Sequence, residues 1–397
     1  MTCRLMATIV ALIALAVPGV CGTANADDTP PVVLGAVYNL IGGQADLDVP
    51  SLNGARLAVA EANQAAGPDG RKVALAVADG ASLVEMLPAK TRALIKTHPS
   101  MAALMGLSDT DMVLAAAPAA AENGRVFLTS GATSPRLPAE VPEYLFLACF
   151  GDNVQAAAAA EWAYDHLSAR TVSVLYNDTV SYTKLLHGYF QERFTGLGGQ
   201  VVSAQPYTPG GAAQGAELMG TADIVFLAAA NPEEALSEVR QLRQAGITAP
   251  IVGGDGFDDP EMWRVSPNVD QWRTDQGIRD VYYTTHAYVG ADSTDKKVLK
   301  FRQAYMDANP GEDPTAFSAL GYDTARLLMT AVSDAGSTEP KAVREALAGI
   351  RSFDGISGTI SYPDGSRIPT KTVTILGVDQ GHVTLVDQLA PKDVPAP

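Results

Sequence analysis

The sequence predicts an α/β fold in two lobes, each built on a parallel sheet flanked by helices. Three observations carry that prediction. Short apolar runs alternate with stretches of helical period, the order that generates a parallel sheet. The alternation pauses at the apolar run YLFLACF, residues 144–150, and then restarts in the same rhythm. A chain of 397 residues, 47% hydrophobic and 18% charged, is globular in composition and longer than one ordinary domain needs.

The elements follow in order. Residues 32–38, VVLGAVY, read as a buried strand. Ser51 is then expected to cap the helix LNGARLAVAEANQAAG, whose Leu52, Ala55, Val59 and Ala62 share one face. A second strand spans 73–77 and ends at Asp79, and a helical stretch broken or started by Pro88 runs to His98. Strand 101–105, helix 109–121 and strand 126–128 complete the first half. The second half reads as helix 152–167, strand 172–176, and helix 182–195 with Leu185, Leu186, Tyr189 and Phe190 inward. Strands 200–207 and 223–227 come next, then helix 232–244 burying Leu236, Val239 and Leu242. Two halves of the same kind imply two lobes rather than one long sheet.

The end of the chain departs from this rhythm. It offers a strand at 281–288 and helices at 295–308, 315–335 and 341–347. GTISYPDGSRIPTKTVTILGV then reads as a β-hairpin turning at Asp364 and Gly365. A structured segment that is not a third α/β unit has to pack back on the others, so the chain is expected to cross between lobes more than once.

The first residues read as a targeting signal. Residues 1–4 are positive, 5–17 are apolar, and Ala24-Asn25-Ala26 fits a small-x-small cleavage site, so residues 1–26 are expected to be removed on export to the periplasm. Lipoprotein anchoring at Cys21 is the less favoured route, because Pro18-Gly19-Val20 puts no small residue next to the cysteine. Cleavage would leave Cys149 alone, with no internal disulfide, as a small buried hydrophobe. The formal charge of −16 argues against nucleic acid and anionic lipid as partners.

Enzyme motifs are missing from the sequence. There is no GxSxG, no phosphate-cradling GxxxxGK[ST] and no HExxH, and the five histidines show no metal-ligand spacing. GLGG at 196–199 follows a helix and reads as its C-terminal cap. No catalytic residue, metal or cofactor is therefore expected. Attention turns to the carboxyl ends of the strands, where open parallel sheets hold their ligands. In the first half these ends lead into Ser108-Asp109-Thr110-Asp111 and Thr129-Ser130-Gly131-Ala132-Thr133. Such hydroxyls and free N–H groups at helix starts suit a carboxylate. In the second half they lead into Asn177-Asp178 and Tyr182, Ala230-Asn231-Pro232, and Gly254-Asp255-Gly256. An acid and a tyrosine suit an ammonium group and an apolar body. Any one of these loops could be an ordinary cap or turn. Together they suit a small zwitterion.

Several stretches, in order and spacing, resemble the periplasmic substrate-binding proteins of branched-chain amino acid ABC transporters. They are GAVYNLIGGQADLDVPSLNGARLAVAEAN, GRVFLTSGATSPRL, CFGDNVQAAAAAEWAY, GGDGFDDP and GYDTARLL, within a similarity covering 32–386. The resemblance implies the type I periplasmic binding-protein fold, two Rossmann-like lobes joined by three hinge crossings near Cys149, His286 and Phe353. Lobe 1 would then comprise 27–149 and 285–352, and lobe 2 would comprise 150–284 and 353–397. It also implies a monomeric receptor that passes a small amino acid or organic acid to membrane permease subunits, without a cofactor. By the same resemblance the binding residues fall on Thr110 or Ser108, on Ala132 and Thr133, on Tyr182, and on Asp255 for the ligand's amino group. Thr183 follows that tyrosine where the family usually has glycine. Asp255 is Glu in the leucine/isoleucine/valine-binding members, and a further aromatic position falls near Ala230 and Asn231. A shorter acid and a missing aromatic change the depth of the pocket. The alternative is a sensor of the same fold that binds an amide, urea or aromatic acid and signals to a membrane kinase or regulator.

Overall fold

Unbroken apolar runs make strands covered on both faces, and two sheets of such strands organise the chain. A computed structural model describes residues 29–65, 67–216, 221–264, 278–363 and 365–397. The expected signal segment 1–26 with Cys21, and Asp364 of the expected turn, lie outside the described residues.

The first sheet contains β1 (Val32–Tyr38), β2 (Val73–Asp79), β3 (Ala103–Gly106), β4 (Phe127–Thr129) and β5 (Leu145–Leu147). All are parallel, in the order β2-β1-β3-β4-β5. The second sheet contains β6 (Thr171–Asn177), β7 (Gln200–Tyr207), β8 (Ile224–Ala228), β9 (Ile251–Gly253) and β10 (Val281–Thr285). These run β7-β6-β8-β9-β10, which repeats the first sheet's order. Antiparallel strands β13 (Val373–Asp379) and β14 (His382–Leu389) extend it beyond β10. Each sheet reverses direction of winding once, between β1 and β3 and between β6 and β8. A crevice opens at that point, beyond the carboxyl ends of the strands. This is the type I periplasmic binding-protein fold expected from the sequence.

Helices cover both faces: α1 (Ala45–Gln64), α2 (Leu87–Thr97), α3 (Thr110–Ala121), α4 (Leu137–Glu140), α5 (Asp152–His166) and α6 (Ser181–Gly196). They continue as α7 (Pro232–Gln244), α8 (Pro260–Trp263), α9 (Lys296–Ala308), α10 (Ala316–Ala335) and α11 (Pro340–Ala348). Helix α1 begins earlier than expected, because the chain accepts Pro50 inside it. Ser51 is therefore not a cap. Its hydroxyl points inward to Ser130 Oγ at 3.2 Å, next to the strand ends. Helix α10 returns to the first lobe and lies on α1. A Cβ on Gly54 would stand 2.0 Å from the Ser318 carbonyl oxygen, and one on Gly321 1.8 Å from that of Ser51. The two glycines let the helix backbones touch.

The expected hairpin around Gly365 is not formed. The strand β12 (Gly358–Ile360) pairs with β11 (Phe353–Gly355), and β13 pairs with β14 through a turn at Gln380 and Gly381. Both turn residues have left-handed φ, 49° and 79°, the pattern of a tight two-residue hairpin. Among the described residues a single bridge, Ser361 to Thr370, spans the region expected to be the hairpin. The segment from Phe353 also stays with the first lobe. Phe353, Ile360 and Tyr362 belong to its core, and Tyr362 donates to the Leu147 carbonyl at 2.7 Å. The chain reaches the second sheet only at Val373, later than the crossing expected near Phe353. Apolar spacing alone did not distinguish a strand that packs under one lobe from one that joins the other.

Candidate ligand site between the lobes

The site forms where loops from the two crevices meet. On the first lobe, Asp109 caps α3 by accepting from the Met112 N–H at 2.9 Å. That fixes the two hydroxyls beside it. Ser108 Oγ and Thr110 Oγ1 are buried and have no partner at hydrogen-bond distance among the described residues, though the Ser108 hydroxyl stands near enough to Asp48 to lower its carboxyl in part. The following loop is pinned by its own backbone. Gly131 N–H donates to the Leu107 carbonyl at 3.3 Å, and Ala132 N–H to Thr129 Oγ1 at 3.1 Å. The Ala132 N–H is thus spent within the loop, and its carbonyl accepts from the Cys149 thiol at 3.2 Å, which leaves one lone pair. A Cβ at Gly131 would meet Phe317 at 2.7 Å and Ser108 Oγ at 2.8 Å, so only glycine brings this loop against its neighbours.

On the second lobe, Asp255 follows β9 and is 3% exposed. Its Oδ1 accepts from the Tyr182 hydroxyl and from Gln155 Nε2, each at 2.8 Å. Its Oδ2 pairs with His286 Nε2 at 2.9 Å. Glycines flank the acid because a Cβ at 254 would stand 2.5 Å from the Tyr182 hydroxyl oxygen, and one at 256 2.4 Å from the Ala229 carbonyl. Gln155 uses all four of its bonds here. Its Nε2 also donates to Asp152 Oδ1 at 3.0 Å, while its Oε1 accepts from Asp255 N–H at 3.2 Å and the Thr284 hydroxyl at 2.8 Å. Asp152 N–H in turn donates to the Thr133 carbonyl at 2.6 Å. A continuous polar chain thus runs Thr133, Asp152, Gln155, Asp255, Tyr182, from one lobe's lip to the other lobe's acid.

The lobes also touch beside it. Asp111 accepts from the Ser181 N–H at 3.1 Å and hydroxyl at 2.6 Å, which holds the start of α3 against the start of α6. Asp258 reaches from the second lobe to the Ala316 N–H at the start of α10, at 3.1 Å.

The electrostatics follow from burial. Desolvation, then the charge of Asp255, push Asp152 up to about 8, only partly opposed by the Thr133 hydroxyl and the Gln155 amide. Burial lowers His286 below its ordinary value, against the pull of Asp255, so it is neutral at pH 7 and donates from Nε2. Burial and the two nearby acids hold the Tyr182 hydroxyl well above its ordinary range, which keeps it a donor. His286 stands at the crossing out of β10, stacked on Phe150 of the first crossing at 4.1 Å and edge-on to Phe317 at 5.8 Å.

Of the seven residues expected from sequence, Thr133, Tyr182 and Asp255 are brought together by the polar chain, Thr110 lies beside the Asp111–Ser181 contact, and Ser108 and Ala132 lie in the first-lobe loops. The seventh, Asn231, is occupied otherwise: its side chain caps α7, accepting from the Glu234 N–H at 2.9 Å. Sequence reasoning missed Asp152, Gln155 and His286. The first two were legible as GDNVQ, an acid at a helix start and an amide one turn on. Nothing local marks His286, which acquires its role from the hinge.

A family model described as periplasmic binding protein matches residues 31–382. The chain is 26% identical over 388 residues to the Leu/Ile/Val-binding protein BraC3 of Rhizobium johnstonii, covering 96% of this chain and 99% of that one. It is similar in structure to the branched-chain amino acid transporter substrate-binding protein LivJ of Streptococcus pneumoniae in complex with isoleucine. There the TM-score is 0.80 and the identity 25%, over 91% of this chain and 100% of that one. The leucine-binding protein LivK of Thermotoga maritima gives a TM-score of 0.79 and 26% identity, over 91% and 100%.

Proposed function

Because the chain belongs to the family of periplasmic binding proteins, we propose that it is an extracytoplasmic receptor holding a small amino acid or related organic acid between its lobes for an ABC permease. The observation that carries this reading is the buried polar chain from Thr133 to Tyr182, which joins both lobes through Asp152, Gln155 and Asp255. The named relatives and solved neighbours that bind leucine, isoleucine or valine support the ligand class.

In this reading Ser108, Thr110 and Thr133 hold the acidic end of the solute with neutral donors, and the Ala132 carbonyl contributes an acceptor. Tyr182 and Asp255 face its other end. The lobes close over the solute by hinge motion at the crossings, and no bond in it is made or broken. Asn231 is left out of the contact set, because it caps α7.

The test is calorimetry of the purified chain against the twenty amino acids and a set of small carboxylates, with the fold verified by circular dichroism. Micromolar or tighter binding of at least one is expected. Folded protein that binds none of them overturns the proposal.

A further inference from the structure

One carboxylate oxygen in the polar chain between the lobes has no donor at hydrogen-bond distance, the Thr133 hydroxyl standing near enough only to lower its carboxyl in part. Asp152 is fully buried, its Oδ1 is held by Gln155 at 3.0 Å, and its Oδ2 has no hydrogen-bond partner among the described residues. An unmatched buried carboxylate oxygen is costly, and native proteins keep one where something else supplies the partner. Asp255 differs in kind. Its oxygens already accept from Tyr182, Gln155 and His286. It is the better-satisfied acid of the pair and the poorer candidate for taking up a new donor.

We propose that Asp152 receives the ligand's ammonium group and gives up its own proton when it does so. This rests on the receptor reading above. Gln155 Nε2 spends one hydrogen on each acid, which sets the two Oδ1 atoms about 5 Å apart at ordinary hydrogen-bond geometry. Two buried carboxyls at that spacing do not both ionise readily. The titratable groups facing Asp152 are Asp255 after β9, Tyr182 and Tyr189 on α6, and Cys149 at the first crossing. Arg136 acts on Tyr189, Lys371 on Cys149 and the neutral His286 sits on Asp255, but the one charge acting on Asp152 itself is the negative one of Asp255. The empty site therefore keeps the Asp152 proton, in line with the pKa of about 8 that burial and Asp255 give it. An arriving ammonium supplies the missing charge. The Asp152 O–H bond breaks, its proton leaves to the buffer, and the carboxylate accepts an N–H from the ligand. A ligand without an amino group leaves the proton in place, and Asp152 then donates its O–H. Asp255 acts as a positioning residue that orients Tyr182 and Gln155.

The experiment titrates the full chain with L-isoleucine and with 3-methylpentanoate, the same skeleton without the amino group. Calorimetry is run in two buffers of different ionisation enthalpy, at pH 7 and at pH 9. If L-isoleucine does not bind, the tightest amino acid of the panel above takes its place, paired with its own deaminated analogue. The expected result is release of about one proton per amino acid at pH 7 and none at pH 9, where Asp152 is already ionised. The Asp152→Asn variant is expected to lose at least about tenfold in amino acid affinity, to release no proton, and to lose less affinity for 3-methylpentanoate than for the amino acid, because the Asn N–H can donate where the Asp O–H did. Amino acid binding by the wild type without proton release at pH 7 overturns the inference, whether or not the variant folds. So does unchanged amino acid affinity in a folded variant. Binding of carboxylates but of no amino acid sinks the role of Asp152 and leaves the receptor standing; binding of nothing in the panel sinks both.

Discussion

Asp255 shows what a single residue does in this site. Read from sequence, it is an acid waiting for an ammonium group, so its loss should matter for amino acids and little for simple acids. In the structure it accepts from Tyr182, Gln155 and His286. Asp255→Ala leaves these three buried donors unmatched, at about 1–3 kcal/mol each before relaxation. The expected outcome is a lower melting temperature and weaker binding of both ligand types, because Tyr182 loses its orientation. Asp255→Asn, which retains an acceptor oxygen, should lie between wild type and alanine in both respects. Thermal unfolding and calorimetry on the two variants check this. An alanine variant that melts like wild type and still binds a simple acid at full strength would contradict it.

At the scale of elements, two glycines decide how the first lobe closes. Gly54 and Gly321 lie at the contact of α1 with α10, where a Cβ would come within 2.0 Å of a backbone oxygen. Backbone cannot step aside as a flexible side chain can. Gly321→Ala is therefore expected to destabilise the chain by more than about 3 kcal/mol, a severe loss for a single methyl group, or to prevent folding. A melting temperature unchanged in that variant would show that the helices can separate freely. The start of α10 offers a milder case. Thr315 and Ser318 form a capping box, and Thr315→Ala should cost about 1 kcal/mol. Denaturant unfolding measures that difference.

For the whole molecule, the contacts between lobes and the buried acids set the behaviour. Asp111 to Ser181 and Asp258 to the Ala316 N–H bridge the lobes. Asp111→Asn combined with Ser181→Ala should favour separation of the lobes, seen as a larger radius of gyration in small-angle scattering of the ligand-free protein. Desolvation pushes up buried acids, Asp109 to about 6, Asp48 and Asp258 to about 7, Asp152 to about 8, and Glu234 in the same direction. An unfolded aspartate titrates near about 3.9, so between roughly pH 4 and 8 the folded state binds more protons than the unfolded one. Stability must then fall as pH rises through that window. Lys371 works in the other direction. Burial lowers it to about 8, and its contribution rises only at higher pH. The ligand-free protein is expected to melt at a higher temperature at pH 5.5 than at pH 8. The opposite order would mean that these acids are not buried as the structure has them.

The sequence by itself determined the two-lobed α/β class, most of the strands and helices, and the loops at the strand ends that make up the candidate site. Those features depend on local chemistry: apolar period, capping residues, and small residues where backbones approach. Helix α7, bounded by Asn231 and Pro232, is legible for this reason. What only the tertiary structure decided was partnership. Phe353 and Ile360 carry no mark of which lobe will cover them. Asn231 reads equally as a cap or a contact. His286 is one histidine among five until the hinge sets it between Asp255 and Phe150. Burial and hydrogen-bond pairing between residues a hundred positions apart are properties of the packed chain, and they turned two separate acids, Asp152 and Asp255, into one coupled site.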